Sequence, residues 1–309
     1  MIPATRERLR RTIACPVKVL EPLAPLTTFQ IGGSAQILAE VRTADELADL
    51  TRLLTAEQVP FFYLGLGSNI LVSDDGFDGV VIRAGGELSH IGLADGFVTA
   101  GPGARLLDLT VFVASAGLSG MEQLCGIPGS VGGGLYMNAG AYGGEIADTL
   151  FDTEVLTADG ARKTLSKEEI GFGYRSAPAL QNVLILGSRY KLLNGEKSSI
   201  YGEMRRVWKL RREKQPLDFP SAGSMFKRPP GDYAGRLIEA VGGKGLRVGD
   251  AMVSPKHAGI FINAGHATAA NVTALVREVR RRVYESFGIM LQTEVKPVGF
   301  QEDPFLIEI

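Results

Sequence analysis

Residues 125–144 read CGIPGSVGGGLYMNAGAYGG, and eight of these twenty residues are glycine. No residue in the run carries a charge. Because glycine in the interior of a strand or helix costs roughly 0.5–1 kcal/mol relative to alanine, the run predicts a loop rather than a regular element. Backbone N–H groups that glycine leaves uncovered attract anionic oxygens, above all those of phosphate. The run therefore predicts a loop that binds a phosphorylated cofactor.

The alternative interpretation of this run is a flexible linker. Linkers are usually mixtures of glycine and serine, whereas here Ile127, Val131 and Leu135 interrupt the glycines with side chains that can pack. Pro128 and Asn138 favour turns of defined geometry. We therefore expect a loop with one fixed conformation.

A second glycine loop, at residues 65–69 (GLGSN), follows the apolar run at residues 60–62. By itself a G-x-G pattern is weak evidence for nucleotide binding. The loop follows a predicted strand, but no predicted helix comes after it and the third glycine is missing. The dinucleotide-binding fingerprint is therefore not met, although the loop has the same character as the first.

Composition bounds the class of protein. A chain of 309 residues predicts two or three domains, and 45% apolar with 22% charged residues is typical of a soluble globular protein. The 33 basic and 34 acidic residues nearly cancel, which disfavours a nucleic-acid binder. No apolar run reaches the roughly 18 residues of a membrane helix. The two cysteines, Cys15 and Cys125, form no disulfide framework, so we predict a reduced, cytoplasmic location and a buried, inert Cys125.

Local patterns predict an α+β chain. Thr43 and Glu46 form a capping box ahead of a helix over residues 44–57, and Asp159-Gly160 predicts a hairpin. Residues 27–40 read as strand-like around a Gly32-Gly33 turn. Apolar spacing over 272–287, ended by Gly288, predicts an amphipathic helix. The alternation over 289–298 predicts a final strand.

One further helix carries a charge on its apolar face. Ile200, Met204, Val207 and Trp208 share a face of a helix that ends near residue 216, and Arg211 falls on the same face. The arginine either extends its charged end to water from a packed stem or points into a cleft as a phosphate clamp. The residues alone leave both interpretations open.

Seven motifs in order resemble a known flavoprotein family. They cover about residues 20–299 and are TTFQIGG (27–33), LGLGSNILVSDDGFDGVVI (64–82), GMEQLCGIPGSVGGGLYMNAGAYGGEIAD (120–148), GYRSA (173–177), AGSMFKRP (222–229), VSPKHAGIFIN (253–263) and TEVKPVG (293–299). The two glycine loops are similar to the FAD-binding half of vanillyl-alcohol-oxidase-type proteins. As a set, the motifs resemble the UDP-N-acetylenolpyruvoylglucosamine reductase family in its shorter form.

The resemblance implies three domains. Two form a vanillyl-alcohol-oxidase-type FAD-binding fold, a β-α-β subdomain at residues 1–78 and a second subdomain at 79–215. The third, at residues 216–309, is an α+β substrate domain. The implied reaction uses NADPH to reduce noncovalently bound FAD, which then reduces the enolpyruvyl group of UDP-N-acetylglucosamine enolpyruvate for peptidoglycan synthesis.

The family's site residues transfer to this chain by motif. Matching positions imply that Arg175, Ser224 and Glu294 are catalytic: the arginine stabilises charge, the serine donates a proton, and the glutamate stabilises or protonates the intermediate. The implied substrate contacts are Tyr174, Arg211, Lys214 and Arg228, the last standing where some members carry asparagine. The implied FAD contacts are Gly65, Gly67, Ser68, Asn69, Ile70, Gly126, Ile127, Pro128, Gly129, Val131, Gly132, Gly133, Asn138, Gly140 and Ala141.

Two other functions compete with this interpretation. The first is a different FAD-dependent oxidoreductase of the same fold, such as a sugar or alcohol oxidase, which leaves Arg211, Lys214 and the Ser224 motif unexplained. The second is a UDP-sugar-binding protein that has lost catalysis, which intact Arg175, Ser224 and Glu294 argue against. We expect a monomer with no metal, nucleic-acid or membrane partner.

Overall fold

A computed structural model describes residues 1–157 and 160–307. Its α-helices are α1 (Pro3–Thr12), α2 (Ala44–Ala56), α3 (Leu106–Ser115), α4 (Val131–Tyr136), α5 (Lys167–Ile170), α6 (Lys197–Lys214), α7 (Ala234–Ala240) and α8 (Ala269–Phe287). Its strands are β1 (Val17–Pro22), β2 (Ser34–Val41), β3 (Phe61–Tyr63), β4 (Ile70–Val72), β5 (Phe77–Ala84), β6 (Ile91–Ala94), β7 (Phe97–Ala100), β8 (Leu118–Ser119), β9 (Gly140–Ala141), β10 (Gly144–Glu145), β11 (Leu150–Leu156), β12 (Arg162–Ser166), β13 (Leu184–Tyr190), β14 (Leu193–Asn194), β15 (Ser221–Ser224), β16 (Arg247–Val248), β17 (Ala251–Val253), β18 (Ile260–Asn263) and β19 (Lys296–Val298). The mixture confirms an α+β fold.

The chain divides into two compact units, each built from three separate segments. Unit 1 contains Met1–Lys18, Ile37–Leu66 and Gly79–Arg211, and unit 2 contains Val19–Gln36, Gly67–Asp78 and Arg212–Ile309. The division into three domains at residues 78 and 215 stays a prediction.

A four-stranded sheet with the order β1-β2-β5-β3 contains a parallel pair in which Phe61 of β3 lies opposite Val80 of β5. Helix α2 confirms the predicted helix, but only half of the predicted capping box forms. The Thr43 hydroxyl accepts the N–H of Glu46 at 3.1 Å, whereas the Glu46 carboxylate accepts the N–H of Arg42 at 2.6 Å rather than that of Thr43. Leu47, Leu50 and Leu54 on its apolar face are buried. Removal of these side chains from water supplies the driving force for α2 to pack.

A five-stranded sheet with the order β12-β11-β13-β7-β6 belongs to unit 1. The predicted hairpin is confirmed in its strands, since β11 and β12 pair antiparallel from Asp152 opposite Ser166 to Leu156 opposite Arg162. Asp159 of the predicted turn lies outside the described residues. Beneath this sheet, a core that includes Leu106, Val131 and Leu135 anchors the start of α3 and the glycine-rich run to the same interior.

In unit 2, a four-stranded sheet with the order β15-β18-β17-β16 and the helix α8 share one core. Helix α8 begins with Thr268, whose hydroxyl accepts the N–H of Asn271, and ends at Gly288 in the left-handed conformation, with φ 66°. Glycine tolerates this conformation because it has no Cβ. The predicted amphipathic helix and its stop are both confirmed.

The final strand is shorter than predicted. The sequence predicts a strand over 289–298, but only Lys296–Val298 is regular strand, and it pairs in parallel with β4. Just before it, Thr293 forms an isolated antiparallel bridge with Phe226. The chain changes its pairing partner between residues 293 and 296, which interrupts the ladder that the alternation suggests.

The strand-like stretch predicted at 27–40 begins only at Ser34. The reason is the glycine pair before it. At Gly32, with φ 127°, an ideal Cβ would lie 2.4 Å from the Val72 Cβ, and at Gly33 it would lie 2.3 Å from the Asp74 carbonyl oxygen. The backbone turns here and packs directly against residues 72–74, so it cannot continue as a strand.

Candidate functional site

The glycine-rich run is held firmly and contains a short helix, α4, that the glycine content did not predict. The Ser130 hydroxyl caps this helix by accepting the N–H of Gly133 at 3.2 Å. An ideal Cβ at Gly132 would lie 2.9 Å from the Pro102 Cβ, so the close approach requires glycine. Capping and packing together outweigh the low helix propensity of glycine.

Backbone hydrogen bonds fix the entry to α4. Leu106 donates its N–H to the Gly129 carbonyl at 2.9 Å, and Val131 donates to the Ala104 carbonyl at 2.8 Å. Between these two bonds, the N–H groups of Gly129 and Ser130 donate to no acceptor in residues 1–157 or 160–307. Unit 1 therefore presents adjacent free N–H groups on a rigid loop, the arrangement that binds anionic oxygens.

Gly65 approaches the same loop. An ideal Cβ at Gly65 would lie 2.3 Å from the Ser130 Oγ, so the first glycine of the GLGSN loop is required by contact with the helix cap. The structure thus places the predicted cofactor-binding position Gly65 against Ser130, which lies between the predicted positions Gly129 and Val131 but was itself not predicted as a cofactor contact. The predicted contacts Ile127, Pro128, Val131, Gly132, Gly133 and Ala141 lie in or beside the same run.

Asn138 organises the second half of the run. It is buried, adopts the left-handed conformation with φ 43°, and donates from Nδ2 to Glu145 Oε2 at 2.7 Å and to the Gly173 carbonyl at 3.0 Å. Its Oδ1 accepts the N–H of Ala147 at 3.4 Å. The side chain therefore ties the run to the segment that carries Arg175.

Arg175 lies in a tight hairpin turn. The N–H of Gly173 donates to the Ser176 carbonyl and the N–H of Ser176 to the Gly173 carbonyl, which places Tyr174 and Arg175 at the tip. Arg175 has φ 52°, and its guanidinium donates to the Gly140 carbonyl at 2.8 Å and lies 5.2 Å from the Tyr174 ring centroid. A left-handed arginine is unusual, and these contacts hold its charge beside the glycine-rich run.

Arg211 is a second cation of unit 1 near this run. It is only 5% exposed, and its Nε has no hydrogen-bond partner among the described residues. Burial lowers the pKa of the Arg211 guanidinium, an effect that nearby Tyr142 and Cys125 oppose. A buried charge without a carboxylate partner is costly, so this guanidinium is suited to receive an anionic group.

The predicted apolar face of α6 is partly wrong. Ile200, Met204, Val207 and Arg211 are buried, whereas Trp208 is 44% exposed. The Trp208 ring instead covers Gly126, where an ideal Cβ would lie 2.7 Å from two ring carbons. Sequence reasoning assigned Trp208 to the core and missed this contact. Its position one turn before Arg211 was the available signal, since both residues then face Gly126.

Unit 2 carries the rest of the GLGSN loop. Gly67 has φ 61°, and an ideal Cβ there would lie 2.6 Å from the Leu26 carbonyl oxygen. The N–H groups of Gly67, Ser68 and Asn69 have no acceptor in the described part of the chain. This row of free donors leads into Ile70, the first residue of β4. The loop has the chemistry expected of a phosphate-binding turn.

Ser224 is the last residue of β15 and is exposed. Gly223 precedes it with φ 73°, and the register of β15 against β18 shifts between Ser221 and Ser224. A bulge of this kind re-aims a side chain at the end of a strand. The Ser224 hydroxyl is therefore presented to solvent at a defined point of the sheet.

Glu294 is 9% exposed, unlike most glutamates near strands. Its N–H donates to the carbonyl of Met225, the residue after Ser224, at 2.9 Å. Its carbonyl accepts the Asn69 Nδ2 at 3.2 Å. Unit 2 thus brings the segments of Ser224, Glu294 and the GLGSN loop together through main-chain hydrogen bonds.

The remaining predicted substrate contacts are exposed. Lys214 is the last residue of α6. The Arg228 guanidinium carbon lies 4.6 Å from the Tyr233 ring centroid.

Cys125 is buried, as predicted, and burial raises the pKa of its thiol. In the described residues, no helix has the length and apolar character needed to cross a membrane.

Comparisons with known proteins identify the family of this chain. The model of an FAD binding domain matches residues 35–166, and that of the C-terminal domain of UDP-N-acetylenolpyruvoylglucosamine reductase matches residues 215–298. UDP-N-acetylenolpyruvoylglucosamine reductase 2 of Symbiobacterium thermophilum is 45% identical over 296 residues, covering 95% of this chain and 96% of the relative. The corresponding reductase of Sphingopyxis alaskensis is 43% identical over 282 residues, covering 91% and 94%.

A solved structure agrees as well. The UDP-N-acetylenolpyruvylglucosamine reductase from Thermus caldophilus matches with a TM-score of 0.77 and 40% identity, covering 92% of this chain and 98% of that one. Free N–H groups on uncharged, rigid loops fit the diphosphate of FAD. The chain belongs to the UDP-N-acetylenolpyruvoylglucosamine reductase family of FAD-dependent oxidoreductases.

Proposed function

We propose that this chain uses NADPH to reduce the enolpyruvyl group of UDP-N-acetylglucosamine enolpyruvate, giving UDP-N-acetylmuramate for peptidoglycan precursor synthesis. One observation carries the proposal beyond family membership. The segments of Ser224 and Glu294, the two residues predicted to handle the proton, are joined by the bond from the Glu294 N–H to the Met225 carbonyl at 2.9 Å. The segments of Ser224 and Glu294, the two residues assigned to the protonation step, are therefore held together by a direct backbone hydrogen bond.

The glycine loops would hold the FAD. In unit 1, the N–H groups of Gly129 and Ser130 are free, and in unit 2 those of Gly67, Ser68 and Asn69 are free within the described residues. FAD, when bound, supplies hydride-transfer chemistry, and the protein supplies binding and orientation. The rigid attachment of residues 129–132 to residues 102–106 means that this part of the cradle forms without the ligand.

Arg175 would stabilise negative charge on the substrate. Reduction of an enolpyruvyl double bond at C3 places developing charge on C2 and the neighbouring carboxylate. A permanent cation held in place before the reaction stabilises that charge at little reorganisation cost. The bond from Arg175 to the Gly140 carbonyl at 2.8 Å provides the required positioning.

Ser224 and Glu294 would complete the reaction by delivering the proton to C2. A hydroxyl is a weak acid and needs stabilising neighbours to protonate a carbanion. Burial of Glu294 within unit 2 strengthens the electrostatic interactions of its carboxyl group. We assign the proton donor role to Ser224 and the supporting role to Glu294.

Four residues would bind the UDP portion. Arg211 offers a buried charge whose Nε has no partner in the part of the chain that the structure describes, and exposed Lys214 ends the same helix. Exposed Arg228 and Tyr174 offer further contacts. Cations suit a diphosphate, with arginine able to bind in bidentate fashion. A cytoplasmic location and a monomeric state remain predictions.

A visible absorption spectrum of the purified protein tests the proposed function. We expect a flavin spectrum that bleaches on anaerobic addition of NADPH and returns on addition of UDP-N-acetylglucosamine enolpyruvate. Oxygen consumption with a polyol, independent of NADPH, would instead indicate an oxidase. A colourless protein that still binds UDP-sugar would indicate a noncatalytic binding protein.

Replacing Lys214 by alanine should raise the KM for the enolpyruvyl substrate about tenfold and change kcat less than twofold. A diphosphate remote from the reacting bond contributes binding that is equal in the ground and transition states, and a charged contact contributes about 1.5 kcal/mol or more. Steady-state kinetics with varied substrate measures both constants. Lys197→Ala, at the opposite end of α6, is the matched control and should change neither. A large fall in kcat at unchanged KM would place Lys214 at the reacting centre.

A further inference from the structure

Asn69 belongs to the cofactor loop by sequence, yet its side chain faces another segment. Its Nδ2 donates to the Glu294 carbonyl at 3.2 Å, and its own carbonyl accepts the Lys296 N–H at 3.0 Å. These two bonds bracket Glu294 on its C-terminal side. The Met225 carbonyl, which accepts the Glu294 N–H, holds the other side.

The segment that carries Glu294 has little other regular structure to hold it. Thr293 makes only an isolated bridge, and β19 starts at Lys296, so Glu294 lies where the chain changes its pairing partner. Backbone carbonyls that are partly buried need hydrogen-bond partners. The side-chain amide of Asn69 supplies that partner by donating to the Glu294 carbonyl. A carboxylate or an aliphatic side chain at this position could not donate.

The backbone N–H of Asn69 differs from its side chain, because it is available to a ligand. The N–H groups of Gly67, Ser68 and Asn69 have no acceptor among the described residues, so they are available to a ligand. Any anion that they bind fixes the backbone of Asn69. Fixing that backbone also fixes the Asn69 carbonyl, which accepts the Lys296 N–H. It likewise fixes the Asn69 side chain, which donates to the Glu294 carbonyl.

We propose that Asn69 is a positioning residue that aligns Glu294, so that occupation of the cofactor loop sets the geometry of this acid. The proposal rests on the catalytic role of Glu294 in the proposed function. Asn69 does not need to touch the substrate. It acts through the Glu294 backbone, and its effect belongs to the half-reaction in which the substrate carbon is protonated.

The variant Asn69→Ala tests the proposal in the holoenzyme. Its backbone N–H groups remain, but Asn69 belongs to the cofactor loop, so both half-reaction rates are measured per bound flavin and the rate of reduction by NADPH serves as the internal reference. Reoxidation by UDP-N-acetylglucosamine enolpyruvate should slow by about 10-fold to 100-fold, the cost of misplacing a group by about an ångström. Asn69→Leu, which keeps the size, cannot donate and adds no charge to the anion-binding loop, should show the same pattern and covers the case in which the alanine variant fails to fold.

A double-mutant cycle separates positioning from a general structural effect. If Asn69 acts through Glu294, adding Asn69→Ala to Glu294→Gln should slow reoxidation by less than a further twofold. Fully additive losses, or loss of flavin with equal slowing of both half-reactions, would overturn the proposal. Reoxidation at a normal rate in Glu294→Gln alone would instead remove Glu294 from the proposed mechanism.

Hydrogen–deuterium exchange gives a readout that does not depend on activity. Peptides covering residues 292–298 should exchange about fivefold faster in the Asn69→Ala holoenzyme, the effect of one lost hydrogen bond. Asn271→Ala is the matched control, because within the described residues its side chain accepts the Thr268 N–H at the start of α8, away from residues 292–298. Unchanged exchange at 292–298 in Asn69→Ala would show that Asn69 does not hold this segment, even if the catalytic role of Glu294 stands.

Discussion

Replacing Ser224 by alanine should leave flavin reduction by NADPH within about twofold of its normal rate and slow reoxidation by the enolpyruvyl substrate by about 10²–10⁴-fold. The reason is that only the second half-reaction protonates a substrate carbon, and loss of a positioned acid has an effect of this size. Stopped-flow absorbance of the flavin follows both steps separately. Ser224→Cys should recover part of the rate, since a thiol also donates a proton.

Ser221→Ala is the matched control for this experiment. It makes the same change in the same strand, and the Ser221 backbone N–H that bonds to the Thr28 carbonyl is retained. Both half-reactions should stay near normal in this control. If Ser224→Ala slows both steps equally, then Ser224 supports the flavin site or the fold, and the proton comes from Glu294 or water.

The second large effect is expected at Arg175. Arg175→Ala should slow reoxidation by about 10²–10³-fold, the cost of losing one preorganised group that stabilises developing charge. The reoxidation rate of Arg175→Lys should lie between those of the wild type and Arg175→Ala. Lysine keeps the charge but lacks the planar guanidinium that donates to the Gly140 carbonyl. Single-turnover reoxidation with saturating substrate measures the loss.

Arg162→Ala is the control for Arg175. Arg162 is also an arginine of unit 1, but its bridge to Asp45 is exposed, and exposed ion pairs contribute little. Its loss should alter neither half-reaction. A normal reoxidation rate in Arg175→Ala would contradict the assigned role, and loss of flavin from that variant would show that the turn serves the cofactor loop instead.

Features with a local cause were predictable from the sequence. Thr43 caps α2 by accepting the Glu46 N–H, and Gly288 ends α8 in the left-handed conformation, both as predicted. In each case a few neighbouring residues decide the outcome. The run at residues 125–144 was also correctly distinguished from a linker, because its apolar residues Val131 and Leu135 pack in the core, although the helix within it was not predicted.

Features that depend on distant packing were not predictable. Helix α4 forms within the glycine run because Pro102 approaches Gly132 and Ser130 caps the start. Glu294 leaves the predicted strand because residues 293 and 296 pair with different partners. The left-handed turn at Arg175 follows from the Gly173–Ser176 bridge. Pro102, Phe226 and Ile70 lie outside the sequence window that periodicity samples, whereas Ser130, Gly173 and Ser176 are local partners whose bonds leave no periodic signal.

The parallel pairing of β4 with β19 joins Ile70 to Lys296. During synthesis, the ribosome adds more than two hundred residues after the GLGSN loop before the strand that completes it exists. Chains grow at about 5–20 residues per second, so this loop waits on the order of ten seconds or more without its partner. Loading of flavin is therefore expected to follow synthesis of β19, and nascent chains stalled before residue 296 should not retain flavin.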